Sequence, residues 1–249
     1  MFDSKVVIVT GGSAGIGKEA ALAFAKHGAK VVVASRRTTE GEETVHNINI
    51  KGGEAIFVKT DVANADEVQK MVRNTIRHYG QLNMAFNNAG IEGTPFVNAQ
   101  DYDLEVWNKV LDINLKGVWL CMKYQIPELL KNSGAIVNNA SGAGLRGGLA
   151  GAAYHASKHG VVGVTRSAAL EYADKGIRIN AVCPAVIQTS MAERAFFHDN
   201  KLTKLAIEMH PIGRIGKPNE VVDAVLWLCS EKASFITGHA LPIDGGALI

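Results

Sequence analysis

The chain has 249 residues, of which 47% are hydrophobic and 20% are charged, as in a globular protein with a sizeable core. Its formal net charge of +2 gives no electrostatic basis for binding nucleic acid or an anionic membrane. No signal peptide is expected, because the short apolar run near Asp3 leads into a strand, and no run reaches the roughly 18 residues of a membrane helix. The three well-separated cysteines lack metal-ligand spacing and are expected to be buried free thiols of a cytoplasmic protein.

Strand and helix patterns alternate along the chain. Apolar runs predict seven strands, most of them buried on both faces, at 5–10, 30–35, 54–60, 82–88, 134–141, 177–184 and 239–244. Helical periodicity covers 16–27, 65–79, 103–130 and 154–173. This alternation predicts one α/β domain over 1–249, with a doubly wound (Rossmann) seven-stranded parallel sheet and helices on both faces. The less regular segment at about 188–217 is predicted to be a substrate lid.

A glycine-rich turn, TGGSAGIG, joins the first strand to the first helix. Such glycines let the backbone turn tightly and approach a pyrophosphate over a helix N-terminus. The spacing differs from GxGxxG, so a plain glycine turn is the alternative, but the strand–turn–helix context favours a dinucleotide site. The predicted cofactor contacts in this turn are Gly11, Ser13, Ala14, Gly15, Ile16 and Gly17.

The end of the second strand bears on the choice of dinucleotide. Ser35 is followed by Arg36 and Arg37, with no acid before Glu40. An acid here would bind the ribose hydroxyls of NAD, whereas an arginine can bind a 2′-phosphate bidentately. NADP(H) is therefore predicted, with Arg36 as the main contact and Ser35 or Arg37 assisting; NAD(H) is less favoured. The alternative is that both arginines are solvated surface charges.

The stretch YHASKHG carries the clearest chemical pattern. Tyr154 and Lys158 are four residues apart, so they share one face of a helix, and Ser141 ends the preceding strand. The lysine charge is expected to favour the phenolate and lower the pKa of Tyr154, which would make it a general acid–base. His155 and His159 have the same spacing, but no HExxH arrangement accompanies them, so no metal site is predicted.

Taken in order, these motifs resemble those of the short-chain dehydrogenase/reductase family. They are TGGSAGIG, DV at 61–62, NNAG at 87–90, the asparagine of DINLKG, Ser141, YHASK, Pro184 with Thr189, and DGG at 244–246. The resemblance covers nearly the whole chain. It implies a doubly wound domain, a nicotinamide cofactor, and hydride transfer between a carbinol and a carbonyl. The catalytic tetrad that it implies is Asn114, Ser141, Tyr154 and Lys158.

Each member of the tetrad has an expected role. Tyr154 would give its proton to the carbonyl oxygen, and Ser141 would hydrogen-bond the same oxygen. Lys158 would also hold the nicotinamide ribose hydroxyls. By the resemblance, Asn114 would support a water that links Lys158 to solvent; from the sequence alone it could equally make a structural hydrogen bond.

Further contacts are predicted from positions at strand ends. Asp61 is expected to reach the adenine amino group, or alternatively to be the N-cap of the next turn. The other expected cofactor contacts are Val62, Asn88, Ala89, Gly90, Tyr154, Lys158, Pro184, Ile187 and Thr189. Ala185 stands where the family most often has glycine, which would narrow the floor of the substrate pocket. The predicted substrate contacts, mostly apolar, are Ser141, Ala143, Leu145, Leu149, Tyr154, Ala185, Met191 and Phe196.

The expected partners are a small-molecule carbonyl or alcohol and further copies of this chain. The 103–130 and 154–173 helices carry apolar residues on more than one face, and the resemblance implies a homotetramer built through them. The leading function is an NADP(H)-dependent carbonyl reductase or alcohol dehydrogenase acting on a hydrophobic small molecule. The alternatives are a 3-oxoacyl carrier-protein reductase, for which the basic candidates Arg146, Arg194 and Lys201 are few and scattered, and a non-catalytic NADP(H)-binding sensor.

Overall fold

The structure, a computed structural model, describes all 249 residues and contains one seven-stranded sheet in the order β3-β2-β1-β4-β5-β6-β7. Every pair of neighbouring strands is parallel. This confirms the predicted doubly wound fold, and the predicted strand ends differ from the observed ones by at most two residues. The strands are β1 Val6–Thr10, β2 Lys30–Ser35, β3 Glu54–Lys59, β4 Met84–Asn87, β5 Gly134–Asn139, β6 Ile177–Pro184 and β7 Ala240–Ile243.

Nine α-helices accompany the strands. They are α1 Gly15–Lys26, α2 Thr38–Asn49, α3 Ala65–Tyr79, α4 Leu104–Leu111, α5 Gly117–Leu129, α6 Ala152–Tyr172, α7 Ser190–Ala192, α8 Asn200–Glu208 and α9 Pro218–Cys229. The predicted continuous helix over 103–130 is interrupted by one π turn, Asp112–Lys116, between α4 and α5. Helices α2 and α9 were not among the periodic segments named above.

Two hydrophobic clusters pack on opposite faces of the sheet. Ile8 of β1 belongs to the cluster beneath α3, α5 and α6, whereas its neighbours Val7 and Val9 belong to the cluster beneath α1 and α9. Successive side chains of a strand point to opposite faces, so a strand covered on both sides needs an unbroken apolar run. The three cysteines are free and buried, as predicted. None of the helices combines the length and apolarity that a membrane span requires.

The strand order creates a crevice at the carboxyl edge of the sheet. β1 lies between β2 and β4, so the connections that leave β1 and β4 pass over opposite faces. Ligands of doubly wound sheets bind at such a switch point, outside the carboxyl ends of the strands. The glycine-rich turn follows β1 and the NNAG segment follows β4, which places both at this crevice.

Candidate active site

The glycine-rich turn leaves the N-terminus of helix α1 open for binding an anion. Gly11 and Gly15 have φ of +67° and +51°, a region that favours glycine, and a Cβ at Gly17 would collide with the main-chain oxygen of Gly11. Helix α1 has no side-chain hydrogen bond at its N-cap, Ala14, and no acid in its first turn. Its first N–H groups and positive dipole end are therefore compatible with a pyrophosphate.

The loops after β1, β4 and β6 contact one another around this turn. The Thr10 hydroxyl accepts hydrogen bonds from the amides of Asn88 and Ala89, at 3.0 and 3.1 Å. The Asn88 side chain donates back to the Thr10 carbonyl at 3.0 Å. A Cβ at Gly15 would lie 3.3 Å from the methyl carbon of Thr189. The structure thus brings together segments of the predicted cofactor site that are up to 179 positions apart.

Arg36 and Asp61 line one open cleft of about 390 Å³ beside α4, together with Ala63, Glu105, Asn108, Lys109, Asp112 and Ile113. The carboxylate of Asp61 accepts a hydrogen bond from the Ala63 amide at 3.0 Å. The side chain of Asn64, not that of Asp61, caps α3. Asp61 therefore caps the short turn at 62–63, as in the alternative given above, and it also lines the cleft.

Arg37 contacts the glycine-rich turn rather than this cleft. Its guanidinium donates a hydrogen bond to the Ser13 hydroxyl at 3.1 Å and pairs with Glu40 at 3.5 Å. The Ser35 hydroxyl donates to the Arg37 carbonyl at 3.1 Å. The two arginines thus face different parts of the crevice, and both are exposed.

Helix α6 buries the predicted catalytic lysine. Lys158 is 4% exposed, and its ammonium donates a hydrogen bond to the Asn139 carbonyl at 2.7 Å. The Nζ atom lies 5.6 Å from the centre of the Tyr154 ring. Burial lowers the pKa of Lys158 to about 8. Because an ammonium has three donors, the remaining ones can serve the hydroxyls of a ribose.

The pKa of Tyr154 is raised, which is opposite to the shift predicted from the sequence. Burial of the phenol is the largest cause; the Ser141 hydroxyl opposes it, and the negative charge of Glu92 adds to it. Removing the phenolate from water thus outweighs the hydrogen bond from Ser141. The site accordingly holds Tyr154 as a neutral phenol, the form that can donate a proton to a carbonyl oxygen.

Ser141 follows β5 and links two loops. Its hydroxyl accepts a hydrogen bond from the Ala143 amide at 3.2 Å and donates to the Pro184 carbonyl at 3.4 Å. These bonds tie the loop after β5 to the end of β6. The serine hydroxyl also lies close enough to Tyr154 to lower the pKa of the phenol, although burial outweighs this effect.

Asn114 lies in the π turn and is fully buried. Its side chain accepts a hydrogen bond from the Ile91 amide and donates one to the Ile91 carbonyl, both at 2.9 Å. It also donates to the Ser157 hydroxyl at 3.3 Å. The amide group therefore holds the loop after β4, as in the structural alternative given above. π turns are frequent at functional sites.

Asn139 was missed by sequence reasoning. Its carbonyl binds Lys158, and its side-chain nitrogen donates to the Asn88 side chain at 2.9 Å. Its side-chain oxygen is buried without a hydrogen-bond partner. Asn139 thus connects Lys158 of α6 with Asn88 of the loop after β4. The available signal was its position at the end of an apolar strand, two residues before Ser141.

The 188–217 segment makes two contacts with the loop after β4. Arg194 forms an ion pair with Glu92 at 2.7 Å. The rings of Phe96 and Phe196 meet edge to face, with centroids 6.1 Å apart. The carboxylate of Glu92 is thus paired with the arginine.

The main chain after β6 pairs with Gly216 through the carbonyl of Val186 and the amide of Gln188. The amide and carbonyl of Ile187 take no part in this bridge, and the carbonyl accepts a hydrogen bond from the Thr189 hydroxyl at 3.2 Å. Of the predicted substrate contacts, Leu145 packs partly against the core and Leu149 is 67% exposed.

This arrangement on a doubly wound sheet defines a nicotinamide-dependent oxidoreductase. A family model described as "Enoyl-(Acyl carrier protein) reductase" matches residues 11–247. A cyclohexanol dehydrogenase of Acinetobacter sp. (strain SE19) is 43% identical, with 98% of this chain and 95% of that protein covered. The chain belongs to the short-chain dehydrogenase/reductase family, and the resemblance seen in the sequence is confirmed.

Other matches span the same length. A 2,5-dichloro-2,5-cyclohexadiene-1,4-diol dehydrogenase of Sphingobium indicum is 41% identical, covering 97% of this chain and 96% of that protein. The crystal structure of levodione reductase matches with a TM-score of 0.93 and 35% identity over 99% of this chain and 98% of its own. A 3-ketoacyl-(acyl-carrier-protein) reductase from Brucella melitensis, complexed with NADH, matches with a TM-score of 0.93 and 33% identity over the full length of both chains.

Proposed function

We propose that the protein is an NADP(H)-dependent carbonyl reductase or secondary-alcohol dehydrogenase that acts on a hydrophobic cyclic ketone or alcohol. The observation that carries this proposal is the partly buried Tyr154 phenol beside the Ser141 hydroxyl, with the Lys158 ammonium 5.6 Å from its ring. The apolar character of the expected substrate contacts suits a hydrophobic ring. The names of three similar proteins, which refer to cyclohexanol, a cyclohexadiene diol and levodione, support the cyclic class.

The nicotinamide cofactor, when bound, supplies or accepts a hydride at the reacting carbon. In the reductive direction Tyr154 donates its phenolic proton to the carbonyl oxygen, and Ser141 donates a hydrogen bond to the same oxygen. The ammonium of Lys158 stabilises the phenolate that remains after proton transfer. In the oxidative direction the same phenolate removes the proton of the alcohol.

NADP(H) is the proposed cofactor because no acid ends β2 and Arg36 lies free at the cleft that also holds Asp61. A guanidinium there can bind a 2′-phosphate. Arg37 follows Arg36 in the sequence and is hydrogen-bonded to Ser13 of the glycine-rich turn. The NADH held by the Brucella melitensis reductase supports the less favoured choice, NAD(H).

A 3-oxoacyl carrier-protein reductase is the second candidate, favoured by the structural match to such an enzyme. An acidic carrier needs a basic surface near the site entrance. Arg194, one of three basic candidates, is paired with Glu92, which weakens this alternative. The Tyr154–Lys158 pair argues against a sensor without catalytic activity.

We also propose that the protein is a cytoplasmic homotetramer. Trp119 of α5 is 46% exposed and Leu104 of α4 is 71% exposed, on the helices predicted to form an interface. Exposed apolar groups of this size favour contact with another protein surface. The 188–217 segment is proposed to act as a lid, since its contacts with the loop after β4 bridge the crevice.

A substrate panel tests the proposed function. We expect cyclohexanone and substituted cyclic ketones to be reduced with NADPH faster than sugars or an acetoacetyl thioester. The measurement is the oxidation of NADPH and NADH, side by side, at equal protein concentration. Preference for the thioester would establish the carrier-protein alternative, and tight NADPH binding without turnover of any compound would support the sensor.

The Glu92–Arg194 ion pair gives a prediction on pH dependence. The charge of Glu92 raises the pKa of Tyr154, so Glu92→Gln is expected to lower that pKa. In alcohol oxidation kcat/KM rises with pH as the phenolate forms, and its midpoint should move to lower pH in the variant. Glu193→Gln, the same charge change on the neighbouring 188–217 segment, should leave the midpoint in place. A Glu92→Gln midpoint that is unchanged or higher would contradict the electrostatic role.

A further inference from the structure

His155 follows Tyr154 directly on α6, and its ring points to the loop after Ser141. The Nδ1 atom lies 3.0 Å from the carbonyl oxygen of Ala143 and 3.1 Å from that of Arg146. Both partners can only accept a hydrogen bond, so Nδ1 must carry the proton and donate to them. One imidazole thus binds two main-chain groups of the loop that is expected to line the substrate.

This loop, residues 142–148, is called the substrate loop below. It packs closely on α6, because a Cβ at Gly144 would lie 2.6 Å from the Lys158 carbonyl oxygen. A Cβ at Gly148 would lie 3.4 Å from the His155 ring. The loop therefore rests against the helix at Gly144 and Gly148, and His155 hydrogen-bonds it at Ala143 and Arg146.

The contacts of His155 reach Ser141 through one residue. The Ala143 amide donates to the Ser141 hydroxyl at 3.2 Å, while the Ala143 carbonyl accepts from His155. Holding Ala143 at both of its polar groups fixes one lone pair of the serine oxygen. The single O–H of the serine, which donates to the Pro184 carbonyl at 3.4 Å, then has to turn from that carbonyl to a substrate oxygen.

The second ring nitrogen of His155 plays no part in these contacts. Nε2 is buried and has no hydrogen-bond partner. Because an unpaired buried polar atom lowers stability, Nε2 does not help to hold the ring. The hydrogen bonds of Nδ1 to the two carbonyls fix the position of the ring. The role of Nδ1 can be tested separately from the rest of the ring by the substitution His155→Asn. The side-chain nitrogen of asparagine is bonded to Cγ, as Nδ1 of histidine is, and it also donates a hydrogen bond.

We propose that His155 is a positioning residue for the reaction: its Nδ1–H holds the substrate loop on the helix that carries Tyr154 and thereby orients Ser141 towards the substrate oxygen. The kinetic part of this proposal rests on the proposed function. The structural part, the attachment of the loop to α6, does not depend on the identity of the substrate.

The kinetic test uses four variants and cyclohexanone with NADPH. His155→Ala and His155→Gln, which lack a donor at the Nδ1 position, are expected to lower kcat/KM about tenfold, as the loss of one such hydrogen bond would. His155→Asn is expected to stay near the wild-type value, and the Kd of NADPH should be unchanged in all variants. His159→Ala is the control, since His159 is exposed and contacts only its own helix, at the His155 carbonyl.

Amide hydrogen exchange of residues 142–149 provides a readout that needs no substrate. Exchange should be faster in His155→Ala and His155→Gln than in the wild type, and unchanged in His155→Asn and His159→Ala. Equal exchange and kinetics in His155→Ala and His159→Ala would overturn the proposal, as would a His155→Asn variant that behaves like His155→Ala. If the wild type reduces no ketone, the proposed function fails, whereas the exchange data still decide whether His155 holds the loop.

Discussion

Tyr154→Phe is expected to reduce kcat for ketone reduction by about 10²–10⁴-fold, the range that a positioned general acid contributes. The variant keeps the aromatic ring, so packing around α6 should be preserved while the only proton donor of the proposed mechanism is lost. Binding of NADPH should remain, because Lys158 and the glycine-rich turn are untouched. The measurement is kcat under saturating NADPH and ketone, with cofactor binding followed separately by fluorescence.

Tyr172→Phe is the matched control for this change. Tyr172 lies near the end of the same helix, with its ring 4.9 Å from the ammonium of Lys175. Tyr172→Phe removes the same phenolic hydroxyl group and should leave kcat unaltered. Wild-type turnover by Tyr154→Phe would refute the catalytic assignment, and the raised pKa of this phenol would then be only a consequence of burial.

The sheet was predictable because its strands are covered on both faces. All five residues of the strand Val6–Thr10 are buried, so the strand appears in the sequence as a run of apolar residues. Such a run can be recognised without knowing which strands lie beside it. Helix α2 is different, since its only buried residues are Gly41, Thr44 and Ile48. Since Gly41 is small and Thr44 is polar, the buried face of α2 shows no repeat of apolar residues in the sequence. This helix can be inferred only from its position between two strands.

The π turn before α5 could not be predicted from a local pattern. Its buried asparagine is held by the main chain of Ile91, 23 residues earlier in the sequence. Hydrophobic periodicity continues from α4 into α5, so the sequence shows one helix. The hydrogen bonds between Asn114 and Ile91 join residues that are distant in the sequence. They can be recognised only from the three-dimensional position of the loop after β4.

The tetrad could be placed from motif order, but its electrostatics could not. The direction of the Tyr154 pKa depends on how deeply the phenol is buried and on Glu92, which lies 62 positions earlier in the sequence. Glu92 in turn is paired with Arg194, 102 residues later. Spacing along a helix shows which groups are neighbours, whereas burial decides which protonation state they favour.

Arg36→Glu is expected to lower the ratio of kcat/KM for NADPH to that for NADH by about 10²–10³-fold. Hydrogen bonds to a charged group contribute about 1.5–3 kcal/mol, and each 1.4 kcal/mol corresponds to a factor of ten. The introduced carboxylate would add repulsion of the 2′-phosphate and could bind the ribose hydroxyls of NADH. Because the guanidinium is exposed, the wild-type preference for NADPH should also weaken as salt is added.

Two further variants separate a specific contact from a change of net charge. Arg73→Glu alters the charge equally at an exposed position of α3 and should leave the NADPH/NADH ratio unchanged. Arg37→Glu should have a smaller effect than Arg36→Glu, because Glu40 already offsets part of the Arg37 charge at 3.5 Å. An unchanged ratio in Arg36→Glu would remove the basis for NADP(H), since Arg36 is the one arginine of the pair that faces the cleft holding Asp61. The two exposed arginines would then be solvated surface charges, and NAD(H) would become the preferred assignment.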